Sequence, residues 1–159
     1  MAHHYLTQTW TGTPAGDLTN ALTNASLTML FSNGAGGCDA TIGDAAIDDA
    51  EADADSILGP SFTVPVSTLS TAARILKRCV CDMTVYYGYE RKPEFLVSGG
   101  DNPVQKRYDR ATKILRDIKS GVRDLGTETA PKTANAGGTT YATELEDRFI
   151  LDDITDGPF

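Results

Sequence analysis

Two adjacent histidines, His3 and His4, supply the chain's only imidazoles, and so its only bases of the kind that activate a serine or cysteine nucleophile. A base must be held to work, and a chain start is expected to fray. Nor does a third ligand stand beside them in the sequence, which argues against a metal site. The three cysteines, Cys38, Cys79 and Cys81, lack metal-type spacing. Cys79 and Cys81 lie two apart in a segment with helical rhythm, which sends them to different faces. All three are read as reduced thiols acting as small apolar side chains.

The acidic run from Asp48 to Asp55 has the look of a calcium loop. Counted from Asp49, Glu51 and Asp53 fall at the third and fifth positions of such a loop. The sixth, however, is Ala54 instead of glycine, and the twelfth is Pro60 instead of glutamate. A solvated acidic helix face is the expectation. Gly34-Ala35-Gly36-Gly37 follows a helix, not a strand, and no Gly-Lys-Ser/Thr signature follows it, so it reads as a loop and not a phosphate cradle. What remains is a basic stripe: Lys106, Arg107, Arg110, Lys113, Arg116 and Lys119. Asp109 and Asp117 interrupt it, and the chain carries a net charge of −8. Nucleic-acid affinity rests mainly on Lys and Arg neutralising phosphates. The stripe is therefore expected to be a solvated face or a salt-bridge surface between subunits. With no catalytic equipment in view, the chain is expected to be neither an enzyme nor a holder of cofactor or metal.

The elements that position these groups are helical. A first helix is predicted from Thr13-Pro14, a cap followed by proline. Its apolar positions, Leu18, Leu22, Ala25 and Met29, recur at helical spacing until the glycine loop stops it. A second is predicted from Asp44 to about Leu58, with Ile47, Ala50, Ala54, Ile57 and Leu58 as its stripe and Gly59-Pro60 as its stop. The third, residues 67–89, keeps the three/four rhythm through Leu69, Ala72, Ala73, Leu76, Cys79, Val80, Met83, Tyr86 and Tyr87. Few polar residues interrupt it, so it should be the central helix. The fourth opens at Asn102-Pro103, lines Val104, Tyr108, Ala111, Leu115 and Ile118 on one side, and ends at Gly121.

The fold class expected is all-α: a small four-helix bundle over residues 1–126, then a linker over 127–141 rich in Thr, Ala and Gly. Residues 142–159 form an extended C-terminal arm that alternates acidic and apolar residues, with Phe149, Ile150, Leu151, Ile154 and Phe159. Phe149 to Leu151 could pair as a short strand, but the arm is too short to make a core by itself. It should dock on its own body or on a neighbour.

At 159 residues, 40% of them hydrophobic and 23% charged, the chain falls in the globular range and suits one core. Its apolar stretches are far short of the roughly 20 residues of a membrane span. Met1-Ala2-His3-His4-Tyr5 lacks the basic and apolar segments of a signal peptide. Folding in the cytoplasm of the producing cell is expected. An acidic surface would also repel phosphates, which suits a protein that lets DNA slide past.

The order of these pieces resembles the Mu-like Gp36 family of phage proteins, which is similar in turn to head–tail connector, or adaptor, proteins. The carrying residues are Tyr5-Leu6-Thr7, Asp17-Leu18, and the acidic-alanine helix from Ala46-Ile47-Asp48-Asp49 to Ser56-Ile57-Leu58. They continue through Leu69, Ala73, Cys81-Asp82 and Tyr86-Tyr87 to Arg107-Tyr108-Asp109-Arg110-Ala111, Leu115, Ile118 and Gly121. Arg148-Phe149-Ile150-Leu151-Asp152-Asp153 is faintly similar to a C-terminal motif of some members. Residues 8–16 depart from the pattern as an insertion, and the glycine loop replaces a more acidic stretch.

The resemblance implies a structural virion protein of the neck. It would form a homo-oligomeric ring, twelve subunits by family resemblance, between the portal protein and a stopper or tail-completion protein, with DNA passing through the lumen. Acidic and basic helix faces on one subunit suit the head-to-tail contact of such a ring. The interface residues expected are Asp49 and Asp53 on the second helix, Arg110 and Lys113 on the fourth, and Phe149, Leu151, Ile154 and Phe159 on the arm. A tail-completion or minor tail protein is the alternative within the virion. A small cytoplasmic helical regulatory protein is the alternative outside it.

Overall fold

Residues 3–10, 13–34, 36–66, 73–93, 102–123 and 125 are described by the structure, a computed structural model. The linker and arm, and the proposed strand at Phe149 to Leu151, lie outside them. The described residues contain a two-stranded antiparallel hairpin, β1 (Gln8–Thr9) and β2 (Ala15–Gly16), and a 3₁₀ turn at Asp17–Asn20. Helices α1 (Asn24–Phe31), α2 (Ala40–Leu58), α3 (Ala73–Glu90) and α4 (Pro103–Lys119) follow. The fold is thus mostly α, a small helical bundle with one minimal hairpin at its edge.

The first predicted helix is corrected most. Thr13-Pro14 caps nothing: these residues lead into β2, and Pro14 is buried. The helix begins ten residues later, where the Thr23 side chain accepts the N–H of Ser26 at 3.2 Å. Its buried face is Leu27, Leu30 and Phe31, whereas Ala25 and Met29 of the predicted stripe are exposed. Within residues 8–16, read as an insertion, Gln8–Thr9 and Ala15–Gly16 pair as the hairpin. Asp17 pins it, accepting the N–H of Thr7 at 2.8 Å while its own N–H donates to the Thr7 carbonyl at 2.9 Å.

Helix α2 also starts earlier than Asp44. Asp39 is its N-cap, accepting the N–H of Thr41 at 2.8 Å. Asp44 lies inside the first turns and serves a different purpose, described below. Helix α4 follows its sequence closely. Asn102 Oδ1 accepts the N–H of Val104 at 3.0 Å, Pro103 fills the first position, and Gly121 takes a left-handed φ of 75° beyond the end.

Helix α3 is the centre. Leu76, Cys79, Val80, Cys81, Met83 and Val85 are all buried, so it is covered on more than one stripe, by α2 on one side and α4 on another. The predicted segment at residues 67–72 lies outside the described residues. The core joins Leu76, Cys79, Val80, Cys81 and Met83 of α3 to Leu27, Leu30 and Phe31 of α1, Ile47, Ala50, Ala54 and Leu58 of α2, and Ala111, Leu115 and Ile118 of α4. Each fully buried aliphatic side chain contributes about 1.5–3 kcal/mol.

An aromatic wedge locks the hairpin to this bundle. Trp10 meets Phe31 edge to face, with ring centroids 5.1 Å apart. Both rings press on helix backbones that carry no side chain there. A Cβ on Gly43 of α2 would stand 2.3 Å from the Trp10 ring, and one on Gly88 of α3 would stand 2.9 Å from Phe31. Glycine at these two positions is what lets the rings seat.

Candidate functional site

The acidic run on α2 divides its work between the interior and the surface. Glu51 is buried and accepts backbone N–H groups from the chain start: His4 at 2.9 Å on Oε2, and Tyr5 at 2.8 Å and Leu6 at 3.3 Å on Oε1. Tyr5, also buried, donates its hydroxyl to Asp55 and accepts the N–H of Val66 at 2.9 Å. Burial and the Asp55 carboxylate push the Tyr5 phenol well above its ordinary range. His3 to Leu6 are therefore clasped along α2, where the sequence leads one to expect a fraying chain start. The expectation of a wholly solvated acidic face fails for the same reason.

His3 shares in the clasp. Its side chain is only 7% exposed, with Nε2 3.0 Å from Asp44 Oδ1 and Nδ1 3.2 Å from Asp48 Oδ1. Asp44 Oδ1 also accepts the indole N–H of Trp10 at 2.7 Å. Burial opposes ionisation of Asp44, but the bonds from His3 and Trp10 outweigh it and hold the carboxyl below its usual range. The sequence reading that His3 has no third ligand nearby is corrected: folding brings Asp48 and Glu51 to it.

Asp53, one of the predicted interface residues, turns into the bundle. Its Oδ2 accepts the hydroxyls of Tyr87 on α3 and Tyr108 on α4, the latter at 3.1 Å. Tyr86 and Tyr108 rings stack beside them with centroids 4.3 Å apart. Burial and the Asp53 carboxylate push the Tyr87 phenol well up, and burial likewise raises Tyr108. A hydrogen bond to Glu90 pushes Tyr86 to about 12. The cluster ties three helices together.

The basic residues divide similarly. Asp82 is buried on α3 and holds Arg107 of α4 at 2.7 Å and Arg110 at 3.4 Å. Arg107 is thus partly drawn out of the solvent stripe, while Arg110 stays half exposed. Lys113, Arg116 and Lys119 are exposed. Near Asp82 an open groove of about 450 Å³ is lined by Asp17, Arg74, Lys77, Arg78, Cys81 and Arg107, among others. Arg74, Lys77 and Arg78 make α3 a second source of basic surface, which the reading of α4 alone missed; their i, i+3, i+4 spacing was the signal. Cys79 and Cys81 are buried, and burial raises their thiols to about 11 and about 12.

Two opposed charged surfaces are left. On α2, Asp48 and Asp49 are exposed, Asp49 partly engaged by Arg91 at 3.0 Å. On α4, Arg110, Lys113, Arg116 and Lys119 point outward. Of the predicted interface set, Asp49, Arg110 and Lys113 are thus exposed, and Asp53 is half-buried with its carboxylate engaged by Tyr87 and Tyr108. Phe149, Leu151, Ile154 and Phe159 lie outside the described residues. Among the described residues no helix is long and apolar enough to cross a membrane.

Comparison with known proteins supplies the rest. No curated protein matches the chain. The family model described as Bacteriophage Mu, Gp36 matches residues 13–143. That span holds α1 to α4 and begins just before β2, so it covers the bundle and both charged surfaces. By this match the chain belongs to the Bacteriophage Mu Gp36 family.

Proposed function

We propose that this chain is a head–tail adaptor: a structural virion protein that forms a ring beneath the portal, contacts a stopper or tail-completion protein below, and lets DNA pass through its lumen. The observation that carries the reading is membership of a bacteriophage family over residues 13–143. The charge layout supports it. A ring repeats one heterologous contact until rotation closes it, and that contact needs two different, complementary surfaces on each subunit. The exposed carboxylate of Asp49 and the exposed cations of Arg110, Lys113 and Arg116 form such a pair. The net charge of −8 suits a lumen that does not hold DNA by its phosphates.

In this reading the apolar arm residues Phe149, Leu151, Ile154 and Phe159 contact a neighbouring subunit or the portal. Assembly belongs to the host cytoplasm and the finished position to the virion neck. Chemical cross-linking of purified virions followed by mass spectrometry tests the placement. Cross-links from Lys113 or Lys119 to a second copy, with others to portal subunits, are expected. Cross-links to tail-tube protein with none to portal would replace the adaptor with a tail-completion protein.

A further inference from the structure

We propose that His3, Asp48 and Glu51 form a divalent transition-metal site that rivets the chain start to α2. One donor atom from each of the three lies within 4.8 Å of the others. Clustered carboxylates alone would not carry this, but the histidine does. His3 Nδ1 is fully buried and has no hydrogen-bond partner, although Asp48 Oδ1 stands only 3.2 Å away. A buried ring nitrogen is costly to leave unsatisfied. Two donors bound tetrahedrally at about 2.1 Å stand roughly 3.4 Å apart, close to the His3–Asp48 spacing.

The surroundings match what a bound ion needs. A metal-binding imidazole normally donates its other N–H to a carboxylate, which fixes the tautomer and frees the lone pair. His3 Nε2 lies 3.0 Å from Asp44 Oδ1, and Asp44 is itself held by the Trp10 indole. That arrangement leaves the Nδ1 lone pair unengaged beside Asp48 and Glu51. Glu51 has room for a cation. Its Oε1 accepts two amide N–H groups but Oε2 accepts one, so one of the roughly four lone-pair sites of the carboxylate remains. Asp48 is 51% exposed, leaving an approach from solvent and a position for water. One imidazole nitrogen with two carboxylates selects zinc or a similar ion over magnesium, which prefers oxygen ligands throughout.

The test uses the full chain, purified without a histidine tag and stripped with EDTA, titrated with zinc chloride by calorimetry and by thermal melting. One zinc per chain is expected, with a melting temperature raised by roughly 5–10 °C at about a hundredfold excess over Kd. Magnesium should give no rise. His3→Ala and Asp48→Asn should each weaken zinc binding at least tenfold, whereas His4→Ala should leave it unchanged. Asp48 is half exposed, so its variant reads out binding even if His3→Ala perturbs the clasp. Equal melting in zinc and EDTA would overturn the proposal, as would a His4→Ala loss matching that of His3→Ala.

Discussion

Arg107 on α4 directs both Nε and Nη2 at one oxygen of Asp82 on α3, at 2.9 and 2.7 Å, while Arg110 reaches the other oxygen at 3.4 Å. A buried carboxylate is stable only while its partner stays, because removing one member of such a pair strands a charge away from water. Arg107→Ala should therefore cost about 3 kcal/mol in urea unfolding. Arg110→Ala, acting at longer range on a half-exposed side chain, should cost less than about 1 kcal/mol. Equal losses would mean that the two arginines share the charge evenly.

The aromatic wedge gives a second prediction. Gly43→Ala places a methyl group inside the Trp10 ring position and should cost about 1–3 kcal/mol by overpacking. Trp10→Ala should cost about 3–5 kcal/mol. The double variant should be less damaged than the sum, since the methyl group no longer meets a ring. Strict additivity in denaturant melts would contradict the contact.

Stability should fall at both extremes of pH. Asp44 and Asp39 ionise more readily in the folded chain than at their ordinary 3.8, Asp39 chiefly through the N–H of Thr41. Their contribution is present above 3.8 and is lost as pH falls through the lower folded values. Asp44→Asn should flatten the acid limb of the melting curve. At the other end Tyr87, Tyr108 and Tyr5 ionise less readily than at their ordinary 10.0. That contribution is complete below 10 and disappears as pH rises through the raised values. Tyrosinate absorbance of Tyr5, Tyr86, Tyr87 and Tyr108 should appear at higher pH than that of a free tyrosine.

Thiol reactivity should report the same core. Cys38 is partly exposed, whereas Cys79 and Cys81 are buried with thiols raised to about 11 and about 12. A disulfide reagent at neutral pH should label one thiol quickly and two only at the rate of opening. Fast labelling of all three would show α3 to be accessible.

The helices α2 to α4 could be read from period and punctuation, because Gly59-Pro60, Asn102-Pro103 and Gly121 act locally. The first helix could not. Thr13-Pro14 and Thr23 are both acceptable caps, and Leu18, Leu22, Ala25 and Met29 keep helical spacing across a 3₁₀ turn, a connecting turn and a helix. The break within that run falls between Asn20 and Asn24. The carboxylates engaged within the fold were hidden for a different reason. Glu51 and Asp53 look like any exposed acid on α2, and their partners lie 34 to 55 residues away. Asp82 was more visible, as one charge inside the apolar run of α3.

The surface charges test assembly separately from the fold. Asp49→Lys or Lys113→Glu should each impair self-association on the portal while shifting monomer stability by less than about 0.5 kcal/mol. The pair together should recover part of the loss. Asp53→Lys should instead unfold the tyrosine cluster, so its assembly defect would follow from stability.

Electron microscopy of the purified chain mixed with the portal ring of the same phage tests the adaptor reading most directly. A closed ring of this protein seated on one end of the portal, absent when residues 142–159 are removed, is the predicted result. A chain that remains monomeric and never associates with the portal under these conditions would contradict it.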